Sequence, residues 1–183
     1  MPNHVDQDLY VAGDPETIKA FQEFSKEMIE RKTYSNGEVE SVKTECLLLS
    51  AHNYIPYPEK YLQMDKEAEI ERSKGNFSVK DGFNSGGYEW CCKNWGTKWG
   101  IYDCVLESEG ESSPGVVVLK YNFMSAWSPV IPVIKAMSEK FPTLHFMLGY
   151  FEAGMGFSGM IEFRNGESSG EKHNNHYKGD RGG

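Results

Sequence analysis

The sequence predicts an α+β two-layer sandwich built on a mainly antiparallel sheet, and three observations predict it. Two stretches, 15–31 and 129–141, carry apolar residues at helical spacing. Five short segments read as strands: 4–12, 101–106, 116–123, 144–151 and 160–164. Turn-forming and glycine-rich segments lie between 106 and 116 and between 151 and 160, which joins neighbouring strands as antiparallel hairpins.

In the first strand, Val5, Leu9 and Val11 are apolar, and Asp6, Gln7 and Asp8 lie between them. Gly13 breaks it, Asp14 is a good N-cap and Pro15 suits a first helical position. Ile18, Phe21, Phe24 and Met28 then define one helix face, which predicts a helix to about Arg31. Residues 33–87 read as a partly irregular insertion. It holds an Asn36-Gly37 turn signal, the apolar run Cys46–Ser50, a proline-broken stretch at Pro56 and Pro58, and a charged surface helix over 61–74. Tyr88 to Trp95 reads as a short helix stopped by Gly96. Glu107 to Gly115 reads as an acidic loop, and Val116-Val117-Val118 as the start of a strand buried on both faces. Ser128 is the predicted N-cap of the second long helix, with Pro129 its first residue and Phe141-Pro142 its end. A polar tail over 167–183 shows no apolar pattern, so it is expected to lack order. Helices and strands in this order give a ferredoxin-like single domain over 1–166, with two long helices covering the sheet.

The chain of 183 residues with 13% aromatics suits one domain with a real core. Its formal net charge of -8 argues against binding to a nucleic-acid backbone, which needs lysine and arginine to displace counterions. No apolar run is long enough to span a membrane, and the N-terminus lacks the basic and apolar stretches of a signal peptide. The expectation is therefore cytoplasmic. The cysteines Cys46, Cys91, Cys92 and Cys104 form no C-x-x-C pair, so they read as free thiols rather than metal or cluster ligands. His173 and His176 have ligand-like spacing but fall in the polar tail. No cofactor, metal site or catalytic constellation is expected.

The richest segment is Asn94-Trp95-Gly96-Thr97-Lys98-Trp99, with Trp90 just upstream. Large indoles grouped this closely either staple a helix end onto the sheet or form a ligand platform. As a platform, Asn94, Trp95 and Trp99 would wall a pocket, and Lys98 would meet a phosphate or carboxylate. A lysine between two tryptophans must otherwise reach outward or pair with a carboxylate, and Glu152 is the candidate. Trp127 and Ser128, at a predicted helix start, could add free N–H groups for an anion. Gly156 to Phe163 only faintly echoes an RNA-binding strand, without its leading basic residue. Asp103, Glu107, Glu109 and Glu111 form an acidic run suited to docking a basic partner.

Several of these segments together resemble one family. They are Trp90 with Asn94–Trp99, Tyr121-Asn122-Phe123-Met124-Ser125-Ala126-Trp127-Ser128-Pro129, Pro142-Thr143-Leu144, Tyr150-Phe151-Glu152-Ala153-Gly154, Gly156-Phe157-Ser158-Gly159 and the opening Met1-Pro2-Asn3. They are similar to the YubB-type, Api-like ferredoxin-fold proteins carried by bacteriophages and plasmids. The resemblance covers about residues 1–29 and 88–167. The chain departs from the pattern in its insertion, its tail and His4, where the family usually carries a tryptophan. "Ferredoxin-like" describes topology only, because no iron–sulfur ligand set is present.

The resemblance implies a phage or plasmid accessory protein working in the cytoplasm of a bacterial host. The leading expectation is a non-enzymatic binder of a host protein or signalling molecule, in the manner of a counter-defence protein. A nucleotide-like ligand pocket or enzyme on the Trp-Gly-Thr-Lys-Trp segment is the alternative, and an assembly role the second. A homodimer through an edge strand is compatible with either class.

Overall fold

The computed structural model describes residues 3–174. The sheet is built from β1 (His4–Gly13), β4 (Tyr102–Ser113), β5 (Val116–Ala126), β6 (His145–Glu152), β7 (Phe157–Arg164) and β8 (Glu167–Asn174). Their order across the sheet is β4-β5-β1-β6-β7-β8, and every neighbouring pair is antiparallel. Helices α1 (Pro15–Ser25) and α5 (Ile131–Lys140) follow β1 and β5. The series β1-α1-β4-β5-α5-β6, with β5 inserted between β4 and β1, is the ferredoxin-like split βαβ arrangement. Strands β7 and β8 extend it past β6.

Alternation decides which face is covered. Val5, Gln7, Leu9 and Val11 of β1 are buried, as are Leu119, Tyr121 and Phe123 of β5 and Phe146, Leu148 and Tyr150 of β6. They meet Ile18 and Phe21 of α1 and Val133, Ile134 and Met137 of α5. Phe21 is central, edge-on to Phe141 and Phe146 at 5.6 Å each.

The predicted Asp14 cap is present, its carboxylate accepting from the Thr17 amide at 2.9 Å. The helix ends at Ser25, short of Arg31. The Ser50 amide donates to the Ser25 carbonyl at 2.8 Å, and Asn53 Nδ2 donates to the Phe24 and Lys26 carbonyls, so the terminal C=O groups are satisfied from outside. The chain then forms β2 (Glu27–Ser35) and β3 (Glu38–Leu47), a separate two-stranded sheet turned at Asn36-Gly37, both with positive φ.

The rest of the insertion is more regular than the sequence predicts. It holds α2 (Ala51–Tyr54) and α3 (Glu59–Ser73), followed by α4 (Gly87–Asn94). Leu49, Ala51 and Tyr57 join the same core as the sheet.

The acidic segment predicted as a loop is instead the outer half of β4, and the turn is confined to Pro114-Gly115. Its residues are exposed on both faces, so no apolar alternation marks it. Val116, Val117 and Val118 are partly exposed, and burial starts at Leu119, so the strand start is not covered on both faces. The tail from Glu167 to Asn174 is ordered as β8, turned at Asn165-Gly166 with positive φ at both. A backbone ladder with β7 holds it without any apolar pattern. His176 and the rest of 175–183 lie outside the described residues, as does the side chain of His173.

Candidate functional site

The Trp-rich segment divides into a buried part and an exposed part. Trp95 is buried, its Nε1 donating to the Ile55 carbonyl at 2.8 Å. Its ring lies 5.4 Å from Trp90 and 5.7 Å from Tyr57. Asn94 Nδ2 donates to the Trp90 carbonyl at 2.8 Å, closing the last turn of α4. These contacts tie α4 to the 55–57 stretch of the insertion in a buried aromatic corner. Gly96 turns the chain at φ 76°, and an added Cβ there would lie 2.8 Å from Pro132 Cδ of α5.

Beyond Gly96 the chain is fixed by side chains that carry no obvious signal. Thr97 is buried, and its hydroxyl donates to the Ala126 carbonyl at 2.8 Å while lying 3.2 Å from the Ala126 amide. Ser128 Oγ donates to the Gly96 carbonyl at 2.7 Å. Ser125 Oγ donates to the Ser128 carbonyl at 2.6 Å and accepts from Gln7 Nε2 at 2.7 Å. Gln7 Oε1 in turn accepts from the Val130 amide at 3.1 Å. Ser128 is therefore not the N-cap of α5. Val130 holds that position, Pro132 is in the first turn, and Ser125 and Ala126 belong to β5. This network locks the 96–99 loop to the 126–128 loop.

The two loops carry Trp99 and Trp127, 41% and 47% exposed. Trp127 has φ 71°, a left-handed conformation that is a genuine outlier for a bulky residue. Its amide donates to the Asn3 carbonyl at 2.9 Å. Lys98 Nζ lies 4.3 Å from the Trp99 ring centroid, so the lysine lies on its neighbour's indole. Glu152 does not pair with it. The Glu152 carboxylate is buried and accepts from the Gly154 amide at 2.7 Å and the Met155 amide at 2.5 Å. That fixes a third loop, β6 to β7, with Met155 71% exposed at its tip. Register places the 126–128 and β6–β7 loops at one end of the sheet, because Val5 of β1 is opposite both Ser125 and Glu152, and the Thr97–Ala126 hydrogen bond brings the 96–99 loop to the same end.

The acidic run is not a single patch. Glu107 Oε2 is 2.6 Å from Lys120 Nζ, an interaction that raises the lysine pKa, with Asp8 adding to it. Glu109 accepts from Gln22 Nε2 at 3.2 Å, and Glu111 from the Gly115 amide at 2.8 Å. Asp103 is exposed at a bulge with φ 51°.

Burial pushes the Cys91 and Cys104 thiols up to about 12, away from thiolate reactivity. His52 Nδ1 accepts from the Tyr57 amide at 3.1 Å, and His145 Nε2 contacts Glu162 at 2.9 Å. Among the described residues, no group of three or more His, Cys, Asp or Glu could hold a metal ion. No helix among them is long and apolar enough to cross a membrane.

Residues 98–178 match the family model described as the ferredoxin-like domain in Api92-like protein. The likeness is to that domain. A crystal structure of the protein Api92 from Yersinia pseudotuberculosis aligns with a TM-score of 0.50 and 11% sequence identity. The alignment covers 94% of this chain and 98% of Api92. At that identity the agreement is one of fold. No curated protein matches the sequence. The Api92-like match begins at Lys98 and includes Trp99, Trp127 and the β6–β7 loop, so the candidate surface falls inside it apart from Asn3.

Gln7 is the functional neighbour that the sequence reading passes over. Its signal was present, since it occupies an inward position between Val5 and Leu9 in an alternating strand. An inward polar residue demands a partner. Thr97 and Ser125 carry no comparable signal, because their partners are backbone groups and side chains remote in sequence.

Proposed function

We propose that this protein is a non-enzymatic binder, and that its partner is a protein docking on the sheet end that carries Trp99, Trp127 and Met155. One observation carries the reading: two half-exposed tryptophans stand on backbone immobilised by buried hydrogen bonds, one of them in a conformation that costs free energy to hold. Exposed Trp and Met on a pre-ordered frame are the composition of an interface centre, where a few aromatic anchors supply most of the affinity. The acidic remainder of the surface suits a rim that steers a basic partner. Given the sequence resemblance to phage- and plasmid-borne proteins, we take the partner to be a cytoplasmic protein of the bacterial host.

The test is affinity capture from bacterial lysate with the parent chain and with the Trp99→Ala/Trp127→Ala double variant. The expected result is one stoichiometric protein retained by the parent and lost by a variant of unchanged melting temperature. Retention of that protein by the double variant would move the interface elsewhere. A small mass bound in place of any protein, and lost on Lys98→Ala, would overturn the reading in favour of a ligand pocket.

A further inference from the structure

We infer that the outer edge of β3 is a self-association surface, on which a second copy of this chain pairs strand to strand. The β2–β3 hairpin forms its own sheet of two strands, so β3 has β2 on one side and no strand on the other among the described residues. One face of the ribbon is turned to α3, with Glu30, Lys32 and Tyr34 of β2 lining a groove of about 360 Å³ against Leu62, Asp65 and Lys66. Residues 38–44 and Cys46 of β3 are exposed, and from Glu45 to Leu47 the strand borders a small cavity that it shares with Ile101–Cys104 of the body. A long unpaired edge of this kind is a template for another strand.

Charge selects the occupant and its register. A two-fold axis normal to the ribbon keeps side chains on their own faces, so the pairing must be centred on a residue. Centring on Lys43 sets lysine against lysine, and centring on Glu45 sets acid against acid. Centring on Val42 runs the pairing into the irregularity that follows Ser41, where Tyr34 is opposite Val39. Centring on Thr44 sets Lys43 opposite the second copy's Glu45, twice over, and Val42 opposite the second copy's Cys46. It also places threonine against threonine at the axis, a favourable cross-strand pair.

The hairpin's own register supports the same choice. Arg31 lies directly opposite Lys43, a like-charge pair that costs stability in an isolated ribbon. Arg31 Nε also contacts Glu45 Oε2 at 2.9 Å. The second copy's Glu45 beside Lys43 would complete an alternating row of charge. On the other face Met28, 65% exposed, is opposite Cys46, and Val42 is 51% exposed. Pairing places these residues in one apolar row, Met28–Cys46–Val42, running from one copy into the next. The edge strand β4 contrasts with this. Its pairing with β5 is interrupted at three places, and it carries Glu107, Glu109 and Glu111, features that discourage self-pairing.

The experiment is sedimentation velocity on the full chain across a dilution series. The parent should sediment as a dimer that dissociates on dilution. Lys43→Glu and Glu45→Lys should each weaken association by roughly tenfold or more, since each change occurs at two symmetric sites. The Lys43→Glu/Glu45→Lys double variant should restore association. Restoration separates pairing across the axis from the loss of the Arg31 contact alone. As a second measurement, Val42→Cys should cross-link to the native Cys46 of the other copy under copper–phenanthroline oxidation, and should fail in a Cys46→Ser background. A monomer at every concentration would overturn the inference. So would single charge variants that dimerise as tightly as the parent, or cross-linking that survives Cys46→Ser.

Discussion

Trp95 and Trp99 belong to one six-residue segment yet meet opposite fates. Trp95 has its indole N–H bonded to a buried carbonyl and its ring between Trp90 and Tyr57. Trp99 lies past the Gly96 turn, four-tenths exposed, under the amine of its neighbour Lys98. The difference teaches that residue type and spacing do not separate a core indole from a surface one. What separates them is whether the tertiary fold supplies a partner for the N–H and apolar contacts for both ring faces. The buried corner holds the molecule together, and the exposed pair is free to meet something else.

The largest effect should come from emptying the buried corner. Trp95→Ala is expected to cost about 3–5 kcal/mol, read as a lowered denaturation midpoint. Next come the exposed indoles. Trp99→Ala or Trp127→Ala should reduce partner affinity by about 2 kcal/mol or more, some thirtyfold, while moving stability by less than about 1 kcal/mol. Equal stability losses at Trp95 and Trp99 in chemical denaturation would erase the comparison.

Thr97→Val tests the link between the two regions. It deprives buried Ala126 groups of a hydroxyl partner, with an expected cost of about 1–3 kcal/mol. Faster amide exchange at Trp127 should accompany it.

Tyr57→Phe should do the reverse. The Tyr57 hydroxyl is buried with no hydrogen-bond partner among the described residues, pressed so close to Gly87 that a Cβ there would meet it at 1.9 Å. Removing it should be neutral or stabilising by up to about 1 kcal/mol in thermal melts.

The last effect depends on pH. Asp81 accepts from the Asn84 amide at 2.7 Å and pairs with Arg72, which together hold its carboxyl down to about 2. A depressed folded pKa gives stability that is present above the unfolded value of roughly 4 and lost as pH falls toward 2. Asp81→Asn should therefore be less stable than the parent at neutral pH and show a flatter acid limb, the two proteins converging in stability as pH falls toward 2 in acid-unfolding profiles.

How far the sequence could be read follows the range of the interactions involved. The β1 strand, the Asp14 cap, the Asn36-Gly37 turn and the stop at Gly96 all depend on near neighbours, and all are where the sequence predicts them. The end of α1, the start of α5 and the outer half of β4 were not legible. Ser50 and Asn53 end α1 from about thirty residues away, Gln7 reaches Val130 across the sheet, and the outer half of β4 is exposed on both faces, held by its ladder with β5. The candidate site divides in the same way. Trp99, Trp127 and Lys98 could be singled out by type, but Trp95 and Glu152 could not be told apart from them.

The sequence by itself determined the layer architecture, since alternation in strands and helical spacing in α1 and α5 oblige each apolar face to find a cover. Only the tertiary structure decided which polar groups are satisfied inside and which indoles are left outside. Those outcomes depend on Gln7, Thr97, Ser125 and Glu152 meeting backbone groups that the fold alone brings within hydrogen-bond reach.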